Sequence, residues 1–163
     1  MNAGAALSIS LSGEIALVTG GSRGIGRAIC VTLARAGAFV IINYLGREDA
    51  AQVTLDLIRD RGGNGAIRSF NVSDAKTVET SIDEIIKEFG KIDILVNNAA
   101  ISRDGLVGRM SDADWNNVIA TNVSGAFHVC RAVIKGMIRN RKGRIINITS
   151  TAGEAGNAGQ ANY

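Results

Sequence analysis

Two hydroxyls late in the sequence stand where proton chemistry is possible. Ser150 directly follows an apolar run, and Tyr163 follows a glycine-rich stretch able to fold it back toward the serine. A tyrosine, with an ordinary pKa of about 10, donates a proton poorly at neutral pH unless a cation lowers it. Far upstream lies a second group of residues, Thr19-Gly20-Gly21-Ser22-Arg23-Gly24-Ile25-Gly26. An apolar run enters it and a helical pattern leaves it, so free N–H groups and a positive helix end converge where a phosphate can sit. Gly20 permits the turn, Gly24 lets a pyrophosphate approach the backbone, and Gly26 lets helix and strand pack closely. The spacing G-x-x-x-G-x-G departs from the standard dinucleotide fingerprint. The flanking strand and helix raise it above an ordinary glycine turn.

These groups need elements to bring them together. Ile15–Val18 reads as a strand buried on both faces, and Ile25, Ala28, Ile29, Leu33 and Ala36 follow at helical spacing. A second strand is expected at Ala38–Asn43, a helix at Asp49–Arg61 and a third strand at Ala66–Phe70. Ser73 is expected to cap a third helix striped by Val78, Ile82, Ile85, Ile86 and Phe89. A fourth strand at Ile92–Val96, one long helix from Asp112 to about Asn140 and a fifth strand at Arg144–Ile148 complete the pattern, with Thr149–Tyr163 loop-like. Strands alternating with helices predict an α/β fold, a doubly wound parallel sheet in the order 3-2-1-4-5.

Ligands of such sheets bind beyond the carboxyl ends of the strands. That rule selects the glycine turn, Asn97-Asn98-Ala99-Ala100 after strand four and Thr149-Ser150 after strand five. At the end of strand two, Asn43 and Tyr44 lead into Leu45-Gly46-Arg47 with no carboxylate. An acid there would hold a free ribose; its absence, with Arg23 or Arg47 to attract a 2′-phosphate, favours NADP(H). Arg47 also reads as a solvated loop charge, and Arg23 is the better candidate. Asn71 and Val72 either line an adenine pocket or cap the next helix. Asn122, with Gly125 nearby, is an unfavourable mid-helix residue that marks a kink or a functional group, or else a surface amide. His128 reads as a packing or interface residue, and Cys30 and Cys130 as reduced buried thiols. No metal-ligand spacing is present.

With 46% hydrophobic and only 4% aromatic residues, the core must be built from Ile, Val, Leu and Ala. The net charge of +3 is scattered, which argues against nucleic acid, and no apolar run reaches membrane-spanning length. Residues 1–12 read as a flexible lead-in without signal-peptide character, so the expected location is the cytoplasm or an organellar stroma or matrix.

The glycine turn, Asn71-Val72, Asn97-Asn98-Ala99, Asn122 within Thr-Asn-Val-Ser-Gly, and Ser150 through Gly159-Gln160-Ala161-Asn162-Tyr163 resemble the short-chain dehydrogenase/reductase family. The resemblance runs from about Gly13 to Tyr163. The last motif, with Asp104 to Met110 and Trp115, resembles the branch that reduces β-ketoacyl chains in fatty-acid synthesis. It implies an NADP-binding, Rossmann-like domain over 13–163, acting on a 3-oxoacyl thioester of acyl carrier protein or CoA to give the 3-hydroxyacyl form. By the resemblance, Tyr163 protonates the carbonyl oxygen, Ser150 hydrogen-bonds it and Asn122 supports a water in a proton relay. Asn98, Ala99 and Ala100 border the nicotinamide ribose. The family has Gly where this chain has Ala100, and a catalytic Lys one helical turn after the Tyr. That Lys, further strands and helices, and a substrate loop are expected beyond Tyr163, and their absence fits the zero count of prolines. A complete member is expected to be a homo-tetramer. The alternatives are a reductase of acetoacetyl-CoA, a steroid or a sugar, and a nucleotide-binding fragment without turnover.

Overall fold

The computed structural model describes residues 9–163. Five strands, β1 (Ile15–Val18), β2 (Phe39–Tyr44), β3 (Asn64–Ser69), β4 (Ile94–Asn97) and β5 (Arg144–Asn147), form one sheet in the order β3-β2-β1-β4-β5. Every pairing is parallel. This is the expected order, reached through the crossovers that α1 (Gly24–Arg35), α2 (Glu48–Arg59) and α3 (Ala75–Phe89) supply.

Successive strand residues face opposite sides of the sheet. Ala16, Val18, Val40 and Ile42 pack with Cys30, Ala34, Ala51 and Leu55 from α1 and α2. Leu17, Ile41 and Leu95 pack on the other face with Val78 and Ile82 of α3, and with Val129 and Val133 of α5 (Gly125–Arg139). Covered on both faces, the central strands can be unbroken apolar runs, and each fully buried Leu, Ile or Val contributes about 1.5–3 kcal/mol. The register sets the carboxyl ends level: Val18 lies beside Ile42 and Val96, and Asn97 beside Asn147. At the edge, Ile146 and Ile148 are each 41% exposed, so β5 lacks the cover its neighbours have.

Several expectations are corrected. Met1–Ser8 of the lead-in lie outside the described residues, while Leu11 is already fastened, its N–H donating to the Ala36 carbonyl at 2.7 Å. Asp74, not Ser73, caps α3, accepting from the N–H groups of Lys76 and Thr77; the Ser73 hydroxyl is taken by Asn71 Oδ1 at 2.9 Å. Those two N–H groups hold the Asp74 carboxyl below its usual range. The single long helix is instead α4 (Asp112–Ile119) and α5, joined by a π-helical turn at Ala120–Ser124. The loop-like tail contains one helical turn, α6 (Ala152–Ala155). Among the described residues no helix is long and apolar enough to cross a membrane, and no group of three His, Cys, Asp or Glu could hold a metal.

Candidate active site

The glycine run closes β1 onto α1. Gly20 has φ +63° and Gly24 φ +55°, a left-handed conformation that side chains disfavour. A Cβ on Gly26 would lie 2.2 Å from the Gly20 carbonyl oxygen, so the helix reaches the turn only because that position is glycine. Gly24 differs, because a Cβ there would meet nothing within 4 Å. Its exposed backbone borders open space. No side chain caps the first turn of α1 and no acid stands in it, which leaves its N–H groups available to an anion. Phosphates of a dinucleotide fit this cradle. Arg23 and Ile25 flank it in solvent, and Ser22 is half-buried, its carbonyl accepting from Arg27 Nη2 at 2.7 Å and Thr54 Oγ1 at 2.9 Å.

The turn is tied down by buried polar groups. Thr19, 2% exposed, accepts the N–H groups of Asn98 and Ala99 on its hydroxyl, each at 3.0 Å. Asn98 Nδ2 returns to the carbonyls of Thr19 and Gly20 at 3.0 and 3.1 Å. Asn43 Oδ1 accepts from Gly20 N–H at 3.2 Å, while its Nδ2 donates to the Phe70 carbonyl at 2.9 Å. Asn43 and Tyr44 are both buried, 2% and 8% exposed. Burial, with Glu48 as partner, pushes the Tyr44 hydroxyl above its ordinary pKa. What β2 presents to solvent is Leu45-Gly46-Arg47, and Arg47 pairs with Asp49 at 2.8 Å, holding that carboxyl down to about 2. Arg47 is thus the solvated loop charge, whereas Arg23 forms no ion pair among the described residues.

A cleft of about 400 Å³ opens at the carboxyl ends of β1, β4 and β5. It gathers Val72, Ala99, Ala100, Asn122, Ser150 and Tyr163 from the sequence candidates, with Thr19, Asn97, Gly125 and Asn147 beside them. Gly20–Gly26, Asn43, Tyr44, Asn71 and Asn98 do not line it. Tyr163 is 41% exposed, open to a bound molecule, and Ser150 Oγ accepts the Ala152 N–H at 3.2 Å. Asn122 clamps one residue of the loop after β4, accepting from Ile101 N–H and donating to its carbonyl, both at 2.9 Å. That clamp accompanies the widened turn, the kind of irregularity common at functional sites. Asn71 Oδ1 accepts from the N–H and hydroxyl of Ser73. Its neighbour Val72 meets Gly125, where a Cβ would lie 2.8 Å from Val72 Cγ2, and His128 Nδ1 bonds the Val72 carbonyl at 3.1 Å.

Asn97 and Asn147 form an amide pair across β4 and β5, Nδ2 to Oδ1 at 2.9 Å. Asn97 Nδ2 also approaches Cys130 Sγ at 3.1 Å, and its buried Oδ1 has no partner among the described residues. The sequence singles out Asn97 only within the Asn97-Asn98-Ala99-Ala100 run and Thr19 only within the glycine motif, and it passes over Asn147. Their signal was available, since each is a polar residue closing an apolar strand.

A family description, "short chain dehydrogenase", matches residues 14–163, and the chain belongs to that family. Within it, the chain is 49% identical over 155 residues to the 3-oxoacyl-[acyl-carrier-protein] reductase FabG of Escherichia coli (strain K12), a match covering 95% of this chain and 62% of the relative. The enzyme of the same name from Vibrio cholerae serotype O1 is 46% identical over 155 residues, again 95% of this chain and 62% of the relative. That of Staphylococcus aureus (strain Mu50) is 45% identical over 148 residues, 91% of this chain and 60% of the relative. The chain spans about three-fifths of the length of these curated relatives.

Proposed function

We propose that this chain supplies the cofactor site and the reacting hydroxyls of an NADPH-dependent 3-oxoacyl-acyl-carrier-protein reductase of fatty-acid synthesis. The observation that carries the reading is the convergence of Ser150, Asn122 and Tyr163 on one cleft that Thr19, the residue before the glycine turn, also lines. The relatives' activity as 3-oxoacyl-[acyl-carrier-protein] reductases supports the substrate class.

The N–H groups at Gly24, Ile25 and Gly26 bind the diphosphate, Ser22 stands at its edge, and Arg23 takes the 2′-phosphate. Asn43 and Tyr44 serve from within, holding Gly20 and the end of β2. Asn71 and Val72 border the adenine, while Asn98, Ala99 and Ala100 border the nicotinamide ribose. When bound, the nicotinamide supplies a hydride for the substrate's carbonyl carbon. Ser150 hydrogen-bonds the carbonyl oxygen and orients it, and the Tyr163 hydroxyl donates its proton to that oxygen. Asn122 holds the loop after β4 and supports the relay that reprotonates Tyr163. The homo-tetramer belongs to the same reading, supported by Val123, Phe127, Ile134 and Ile138, which stand 41–69% exposed along the π turn and α5.

The test is the loss of NADPH absorbance on adding a 3-oxoacyl thioester to the purified protein. Turnover is expected, and Tyr163→Phe should lower kcat by about 10²- to 10⁴-fold while NADPH still binds. A Tyr163→Phe protein with unchanged turnover would refute the assignment.

A further inference from the structure

Tyr163 sits at the end of a stretch with little structure of its own. After Ser150 come the single turn of α6 and two glycines in positive φ, Gly156 at +74° and Gly159 at +80°. The tyrosine is brought to the cleft by a strap of bonds to the loop that follows β4. Gly105 N–H donates to the Gly159 carbonyl at 2.7 Å, and Gly105 and Gln160 form an isolated parallel bridge. Gln160 Nε2 reaches both carboxylate oxygens of Asp104 at 3.1 Å, and its own Oε1 is steadied by Asn157 Nδ2 at 3.0 Å. Asn162, 5% exposed, donates Nδ2 to the Arg103 carbonyl at 3.0 Å. Tyr163 N–H then donates to the Gln160 carbonyl at 3.1 Å. The hydroxyl of Ser102 and the amide of Gln160 hold the Asp104 carboxyl below its usual range, so it stays a charged acceptor.

The other end of this loop is Ile101, the residue that Asn122 clamps. One short segment is thus fastened to the π turn at one end and to the tyrosine's own segment at the other. We propose that Asp104, Gln160 and Asn162 are positioning residues for Tyr163, setting where its hydroxyl stands relative to Ser150. The inference rests on the reductase reading above. None of the three needs to touch substrate; they act through the tyrosine's backbone, where a displacement of an ångström is enough to slow proton transfer.

Asp104→Ala and Gln160→Ala test this, because neither side chain belongs to the buried core and both variants should fold. Asp104→Asn, which keeps an acceptor oxygen, is the conservative control. Hydrogen exchange of the purified protein reads the strap without turnover: amides of 101–105 and 156–163 should exchange faster together, with β1–β4 unchanged. Steady-state kinetics reads the positioning: kcat should fall about 10- to 100-fold in Asp104→Ala and Gln160→Ala with the NADPH KM within about twofold, and Asp104→Asn should recover much of the loss. Unchanged exchange across 156–163 overturns the strap. Faster exchange with unchanged kcat overturns the positioning role. Lack of 3-oxoacyl reduction by the unsubstituted protein overturns the reductase reading and the catalytic role resting on it, an outcome the exchange arm separates from failure of the strap.

Discussion

Gly24 and Gly26 lie two residues apart, yet substituting them should damage different properties. In Gly26→Ala the new methyl would stand 2.2 Å from the Gly20 oxygen and 2.6 Å from Asn98 Nδ2, far inside contact distance. Relieving such overpacking costs about 1–3 kcal/mol. Moving Asn98 also weakens its bonds to the carbonyls of Thr19 and Gly20, at about 0.5–1.5 kcal/mol each. The sum is about 2–6 kcal/mol, and at about 2–4 °C per kcal/mol for a chain of this size the Tm should fall by at least ~4 °C, and by up to ~24 °C. Gly24→Leu enters open space, so its cost is the left-handed backbone alone, about 1–2 kcal/mol or about 2–8 °C. Its main effect should be on NADPH. A side chain over the cradle denies the diphosphate its charge-assisted bonds, worth about 1.5–3 kcal/mol, and should raise Kd about 10- to 100-fold. Thermal unfolding by circular dichroism and titration by NADPH fluorescence measure both quantities on the same samples. Wild-type affinity in folded Gly24→Leu, or an unchanged Tm in Gly26→Ala, would refute the reasoning.

Thr19→Val keeps the shape but removes the acceptor of the Asn98 and Ala99 N–H groups, and should destabilise by about 2–6 kcal/mol in urea unfolding, with Thr19→Ser close to wild type. Asn122→Leu should release Ile101, so the amide of Ile101 should exchange faster while α5 stays protected. Burial pushes the Cys30 thiol from 9.0 up to about 12, so it should resist alkylation in the native protein and label fully once unfolded. The folded state favours the neutral thiol. Its stabilising effect is therefore complete below the ordinary thiol pKa and is lost as pH rises through the folded value of about 12, and wild type should lose stability over that alkaline range more steeply than Cys30→Ala. Equal slopes for the two proteins would contradict this.

The readable parts of the site were those whose chemistry is local. Gly20 and Gly26 declare a tight turn and a close helix by lacking side chains, and Ser150 and Tyr163 declare by type the hydroxyls that line the cleft. Asn43 and Tyr44 show where local reading stops. A polar residue at the end of a strand reads as facing a ligand, yet Asn43 is satisfied by Gly20 and Phe70 and lies buried. Ser73 and Asp74 are both competent caps, and the choice fell to Asp74 because Asn71 engages the serine. The π turn was legible only as a weakness around Asn122. Its form goes with a clamp on Ile101, 21 positions away in sequence.

By itself the sequence determined the order of elements and the parallel sheet. Apolar runs long enough to be covered on both sides, alternating with helical stripes, admit few other arrangements. It determined the tight glycine turn as well, because Gly20 and Gly24 take a left-handed backbone and Gly26 leaves no room for a Cβ. The tertiary structure decided which strand-end polar groups hold the frame and which face the cleft, since that depends on register: Asn97 meets Asn147 only because β4 and β5 pair in step. It also decided how Tyr163 arrives. The bonds that carry it there join Asp104 to Gln160 and Arg103 to Asn162, 56 and 59 positions apart, and no local pattern encodes a contact between loops that meet only once the sheet is built.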